Sequence, residues 1–320
     1  MSRKGIYTLN FVVLGTSAFT KACAEGIIGA DHIVSLIVSI PKRFLPDNSI
    51  NIQEYAHETE IEYYETDDIN SSNSRTRLAS KNPDYIFSSW PKIISVEVLK
   101  IPKYCCIGSH PTPLPKNRGR HPLHWSIILG KNKLSLSFFR MDEAIDTGNI
   151  LHSEKYCIED NDDINDVNDK VCRAGFVGIA ELCEILKRDP EFLGYEQHHE
   201  NANYWRKRTI HDCLIDPRMS IESICRLVRS FTSPYPCAKL LIKNEAFSME
   251  KAEPVEDVSQ FGKIDHEIGK ILDFSDLRLT LKVADGIINL FPKEGLVDIK
   301  LPKYVHPPSK YILQNNINLD

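Results

Sequence analysis

No stretch of this 320-residue chain approaches the roughly 18 consecutive apolar residues that a membrane-spanning helix needs. Met1 through Thr8 lack the apolar core of a signal peptide, and the apolar run from Leu9 reads as a strand. Nothing repeats at a fixed period, and no segment is of low complexity. The nine cysteines (23, 105, 106, 157, 172, 183, 213, 225 and 237) form no Cys-x-x-Cys pair and are odd in number. Most sit in apolar patterns, which argues against a disulfide framework and a metal site and implies reduced thiols in a cytoplasmic protein. Positive charge is also short. Against 44 Asp and Glu stand 39 Lys and Arg, for a net charge of −5. Residues 240–320 alone carry 10 Lys and Arg against 13 Asp and Glu, a net of −3. Nucleic-acid affinity is dominated by phosphate contacts to basic groups, so no nucleic-acid partner is expected.

What remains is an ordinary globular composition, 42% hydrophobic and 26% charged, in a chain long enough for two domains. Apolar strands at 8–15, 33–40, 61–64 and 85–89 alternate with helical patterns at 17–28, 50–59, 74–80 and 95–99. Further on, a helix at 121–129, strands at 134–140 and 150–157, and a long amphipathic helix from Asp162 to about Lys187 are expected. Alternation of this kind predicts an α/β fold, with a Rossmann-like, mostly parallel sheet and helices on both faces, over residues 1–188. Residues 189–238 read as a linker and a connecting helix N-capped by Ser220. Residues 239–320 read as a smaller β-rich domain with strands at 239–242, 268–274, 278–283 and 287–291. Asp285-Gly286 is a two-residue hairpin signal within it. Strand ends at Gly15-Thr16-Ser17, Trp90 and Ser109-His110 fall where ligands gather in parallel sheets.

The densest feature is Ile107-Gly-Ser-His-Pro-Thr-Pro-Leu-Pro-Lys-Asn-Arg-Gly119, with Asp146-Thr-Gly148 lying 36 residues beyond its histidine. Prolines 111, 113 and 115 each fix φ and bias the preceding residue towards extended backbone, so His110 sits on a stiff loop. A rigidly held imidazole suits general acid/base chemistry, and a carboxylate on a second turn can orient it or share in proton transfer. Gly15-Thr16-Ser17 suits a phosphate at a helix N-terminus, yet is not Gly-x-Gly-x-x-Gly, so no dinucleotide site follows. Arg118 and Arg120 suit a phosphate or carboxylate, or else brace their loop. Tyr204 through Arg208 form a basic-aromatic patch that reads either as a nucleic-acid contact or as a linker packing its aromatics.

On Gly108-Ser109-His110, Pro113-Leu114-Pro115, Arg118-Gly119 and Ile145-Asp146-Thr147-Gly148, the chain resembles the formyltransferases that use N10-formyltetrahydrofolate. Val13 through Phe19 are similar to that family's first strand and turn. Arg208, Asp212, Ile215-Asp216, Val228-Arg229 and Pro234-Tyr235-Pro236 are similar to the start of its C-terminal domain. Gly269 through Leu272 and Asp285-Gly286-Ile287 resemble the small OB-like barrel that ends many members. The resemblance implies catalytic roles for His110 and Asp146, and folate contacts from Trp90, Pro111, Leu114, Asp142 and Ile145. It implies acceptor contacts from Thr16, Ser17, Arg118 and His121, and a reaction without metal. Trp90 equally suits a buried position covering the sheet's end. The family's catalytic asparagine falls on Gly108, and Ser109 beside it points to the opposite face of a strand.

Within the family, Asp84 through Trp90 and Lys116 through Pro122 look most like the enzymes that formylate amines of nucleotide-linked sugars. The implied acceptor is a dTDP-, UDP- or GDP-linked amino sugar used in cell-surface polysaccharide, with a homodimer common in that group. The methionyl-tRNA formyltransferases share the two-domain plan, but their basic loop after the second strand is replaced here by Pro41 through Asn48. With Gly108 in place of asparagine, a catalytically weak folate- or nucleotide-sugar-binding protein stays open, as does a hydrolase of the formyl donor.

Overall fold

The computed structural model describes residues 8–45, 49–243, 245–262, 266–296 and 301–312. The opening seven residues and the end of the Pro41–Asn48 loop, at 46–48, lie outside them. The chain divides into two compact units, one of residues 1–122, 133–157 and 168–206, the other of residues 123–132, 158–167 and 207–320.

In the first unit the apolar runs become strands because only a sheet buried on both faces accommodates them. Its elements begin β1 (Asn10–Leu14), α1 (Ala18–Gly29), β2 (Ile33–Ser39), α2 (Ile52–Glu58), β3 (Tyr63–Glu65), α3 (Ser72–Ala79) and β4 (Tyr85–Ser88). They continue with α4 (Val96–Leu99), β5 (Cys105–His110), β6 (Arg118–Gly119), β7 (Lys133–Arg140), β8 (Ile150–Cys157), α6 (Ile164–Arg188, of which residues 164–167 fall in the second unit) and β9 (Tyr204–Trp205), while α5 (Pro122–Ile128), between β6 and β7 in sequence, belongs to the second unit from Leu123 on. A seven-stranded sheet runs in the order β3-β2-β1-β4-β5-β7-β8. The first five strands are parallel, and β7 and β8 continue the sheet antiparallel.

Residues alternate between the two faces. On one, Val12, Leu14, Leu36, Val38, Ile86 and Cys106 pack with Trp90, Ile94 and Val98. On the other, Phe87 lies 6.2 Å from Phe19 and 6.3 Å from Phe138, ring centre to centre. There α6 approaches closely through its glycines: a Cβ on Gly178 would stand 2.7 Å from the Phe138 ring. Gly15 opens α1, and Ser17 caps that helix by accepting from Thr20 N while the Thr20 hydroxyl accepts from Ser17 N. The expected element types recur here, with bounds shifted by a few residues. Strand β9, in the stretch read as a linker, pairs with β6.

The second unit contributes α7 (Ile221–Ser230), β10 (Ala238–Ile242), β11 (Glu245–Pro254), β12 (Ile271–Ser275), β13 (Arg278–Lys282), β14 (Ile287–Pro292) and α8 (Ser309–Ile312). Its sheet is antiparallel, in the order β10-β11-β14-β13-β12. Ile224, Leu227 and Val228 of α7 share its core with Leu240, Met249, Leu279 and Leu290. The Asp285-Gly286 turn joins β13 to β14, and Asp285 Oδ1 also accepts from Ile221 N, 2.8 Å away, at the start of α7. Strand β11 escaped sequence analysis because its residues are mostly half-buried or exposed, without a continuous apolar run.

Candidate active site

The parallel strands bring the carboxyl ends of β1, β4 and β5 to one edge, with β4 between the other two. His110 is the last residue of β5 and is 4% exposed. The loop after it is stapled from below. Tyr156 Oη donates to Pro111 O at 2.7 Å, and Ser137 Oγ donates to Thr112 O at 2.8 Å. Ser137 Oγ also accepts from Leu114 N at 3.3 Å, and Thr112 Oγ1 donates to Lys116 O at 2.9 Å. Burial pushes the Tyr156 phenol well up, so it stays a neutral donor. Leu114 is buried and Pro111 half-buried within this brace.

The two ring nitrogens of His110 have different partners. Nε2 is 2.8 Å from the carbonyl oxygen of Asn117. A carbonyl only accepts, so Nε2 carries the proton, and Nδ1 is the nitrogen left to gain or lose one. Nδ1 faces Asp146 Oδ2 at 3.5 Å, and both side chains are largely buried. Asp146 sits at φ 57° and Asn117 at φ 62°, left-handed positions that Asn and Asp tolerate better than most residues. The backbone N–H of Gly119 donates to Asp146 Oδ2 at 2.9 Å. Gly119 has φ 105°, and a Cβ there would lie 2.4 Å from Trp205 O, so this close pairing of β6 with β9 requires glycine.

The second loop is held partly by itself. Asp142 Oδ1 accepts from Ala144 N at 3.1 Å and from Thr147 Oγ1 at 2.6 Å, which leaves Ile145 exposed at the tip. Trp90 packs in the apolar cluster that includes Met141, and its buried Nε1 has no hydrogen-bond partner among the described residues. A buried indole N–H of this kind is a donor that a polar ligand atom would satisfy.

The resemblance places the family's asparagine at Gly108, where the packing is tight. A Cβ there would stand 2.6 Å from Phe139 Cζ and 3.0 Å from Met141 Cγ. The space an asparagine side chain would enter is filled. Ser109, one residue on, lies on the other face of β5 from Gly108 and His110.

The other candidate residues have partners of their own. Thr16 is buried, its hydroxyl accepting from Ser49 Oγ at 3.2 Å, while the Ser17 hydroxyl serves as the α1 cap. His121 is half-buried at φ 54° in front of Pro122. Arg118 is 2% exposed, and Nη2 donates to Gln197 Oε1 at 2.6 Å and to His199 Nδ1 at 2.9 Å. Its Nη1 donates to Tyr204 Oη at 3.0 Å. Arg118 is thus a brace inside the protein, the second of its two sequence readings. In the second unit, His124 is buried with Nδ1 2.6 Å from Ser230 O, and Arg208 lies 3.9 Å from the Phe231 ring centre. Burial pushes the Arg208 guanidinium down to about 10.

Sequence reasoning missed Gln197, Ser137 and Tyr156. Each lies on an element distant in sequence from the loop it holds, so no local spacing marks it. Among the described residues, the one group of three converging metal-type ligands is His152, Glu154 and Glu181. It includes neither His110 nor Asp146.

A His–Asp pair on stiff loops at the carboxyl edge of a doubly wound sheet is an arrangement that group-transfer and hydrolytic α/β enzymes use. The chain belongs to the formyl transferase family: residues 9–181 match that family and residues 208–293 its C-terminal domain. Its members are enzymes that transfer formyl groups and use formyl-tetrahydrofolate. The methionyl-tRNA formyltransferase of Ehrlichia canis is 27% identical over 289 residues, 88% of this chain and 90% of that one. WlaRD, a sugar 3N-formyl transferase solved with dTDP and 5-N-formyl-THF, has TM-score 0.64 at 17% identity, covering 91% of this chain and 100% of that one. A variant of HypX from Aquifex aeolicus has TM-score 0.59 at 18% identity and covers 89% of this chain, which spans only 44% of HypX. Among the described residues, no helix is long and apolar enough to cross a membrane.

Proposed function

We propose that this protein transfers a formyl group from N10-formyltetrahydrofolate to the amine of a nucleotide-linked amino sugar. The charge of the C-terminal region carries the choice of acceptor. Residues 240–320 have a net charge of −3, the wrong sign for a surface that must hold a polyanionic tRNA. The likeness in fold to WlaRD, along that protein's whole length, supports the same reading.

When bound, the folate supplies an activated formyl carbon, placed by this reading between the Pro111–Pro115 and Asp142–Gly148 loops. Trp90 Nε1, Leu114 and Ile145 fit that role, the first as an unsatisfied donor and the others as apolar walls. The acceptor amine attacks as the free base. His110 takes the amine's proton on Nδ1, because Nε2 already holds one against Asn117 O. Asp146 holds the resulting imidazolium in place. With Phe139 packed against Gly108, residue 108 offers no side-chain donor to the developing oxyanion, and the Nδ1 proton stays within the His110–Asp146 pair. The same proton then passes to the departing folate nitrogen. The Gly15–Ser17 turn, at the carboxyl end of β1, is assigned to the nucleotide.

A second reading, formylation of initiator methionyl-tRNA, is favoured by the names of the curated relatives, which match along both halves of the chain. One assay separates the two. Formyl transfer is measured from N10-formyltetrahydrofolate to dTDP-, UDP- and GDP-linked amino sugars and to initiator methionyl-tRNA. The expected outcome is one formyl mass added to a sugar, with His110→Asn slower by about 10²- to 10⁴-fold. Formylation of tRNA alone overturns the acceptor, and near-normal turnover by His110→Asn overturns the mechanism.

A further inference from the structure

We infer that Gln197 is a positioning residue for the reaction: it holds the backbone of the Asp146 turn so that the carboxylate meets His110. The inference rests on the reading that His110 and Asp146 act together. Gln197 lies beyond α6 and is 3% exposed. Its Nε2 donates both to Asp146 O at 3.0 Å and to Gly148 O at 2.7 Å, either side of Thr147. Its Oε1 accepts from Arg118 Nη2 at 2.6 Å. One amide therefore uses both its donors on the Asp146 turn and its acceptor on the loop that carries the partners of the pair.

That second loop is tied down by the same returning segment. Asn117 N donates to Asn203 Oδ1 at 2.9 Å, Arg118 N to Asn203 O at 3.0 Å, and Arg120 N to Trp205 O at 3.1 Å. Asn117 O fixes His110 Nε2, and Gly119 N fixes Asp146 Oδ2. The registration of carboxylate against imidazole thus passes through Gln197 on one side and β6 on the other. Asp146 occupies a left-handed conformation that aspartate tolerates, and the two donations from Gln197 hold its turn there. Methionine at 197 keeps the length and removes all three hydrogen bonds. Glutamate keeps an acceptor for Arg118 and removes only the two donations to the turn.

The test compares Gln197→Met and Gln197→Glu in the wild-type and Asp146→Asn backgrounds, on the full chain. Misplacing a reacting group by about 1 Å costs on the order of 10²-fold, so each Gln197 variant should lower kcat roughly 10- to 100-fold with KM for the folate within about twofold. In the Asp146→Asn background the same substitution should change kcat by less than about twofold, because the group it positions is gone. A second arm needs no acceptor. Amide hydrogen exchange at Gly119, whose N–H meets Asp146, should quicken by about tenfold or more while that of Cys106 and Ile107 in β5 stays unchanged. An equal loss of kcat in both backgrounds, or unaltered Gly119 exchange, overturns the inference. If the wild-type enzyme acts on no sugar offered, the acceptor reading fails and the exchange arm alone decides. If Gln197→Met does not fold, Gln197→Glu carries the test.

Discussion

At His110 the geometry distributes roles between two atoms of one ring. In the proposed mechanism the nitrogen bonded to Asn117 O is structural and the nitrogen facing Asp146 does the chemistry. Gly108 shows the reverse economy: having no side chain, it leaves room for the Phe139 ring against β5. Restoring the family residue should therefore fail. Gly108→Asn is expected to cost about 1–3 kcal/mol by overpacking, read from urea denaturation, with no gain in turnover. Pairing it with Phe139→Ala, which opens the space, should recover part of that loss; if the single variant is as stable as wild type, the steric account is wrong. His110 and Asp146 were legible in sequence because proline spacing and a Gly-containing turn mark them locally. The filling of the Gly108 space was not, since Phe139 belongs to β7 and becomes a neighbour only through pairing of β5 with β7.

Among the elements, α1 offers a clean separation of structural from functional use. Ser17 lies at the carboxyl edge of the sheet, where a nucleotide phosphate is proposed, yet its hydroxyl accepts from Thr20 N as the helix cap. Ser17→Ala should lower stability by about 0.5–2 kcal/mol in thermal or urea unfolding while changing KM for the acceptor by less than twofold. A large rise in KM without loss of stability would instead give the hydroxyl to the ligand. The strands of the first unit were readable because burial on both faces imposes continuous Val, Ile and Leu. Strand β11 was hidden by its polar, half-buried sequence, and the two-residue β9 by being too short for any period to register.

For the molecule as a whole, the distribution of thiols is a record of packing. Of nine cysteines, Cys157 alone is exposed, and Cys172 and Cys225 are intermediate. Burial pushes Cys105 and Cys172 up to about 11, and Cys23, Cys106 and Cys183 well up as well, so these thiols are protonated and shielded at neutral pH. An aromatic disulfide reagent should titrate one thiol quickly in the native protein and the rest only on unfolding, and Cys157→Ser should remove the fast phase. Rapid reaction of several thiols would contradict this packing. Charge was legible in full from composition, and its sum over residues 240–320 is the quantity on which the choice of acceptor turns.

The pairing of β6 with β9 has a consequence for how the enzyme is made. A nascent chain that has emerged only as far as Arg188 possesses every strand of the large sheet but neither Gln197 nor the Tyr204–Trp205 strand. The catalytic loops of such a chain are synthesised but not yet fastened. On the proposed reading activity arises late, once the 17 residues from 189 to 205 have closed over loops translated long before.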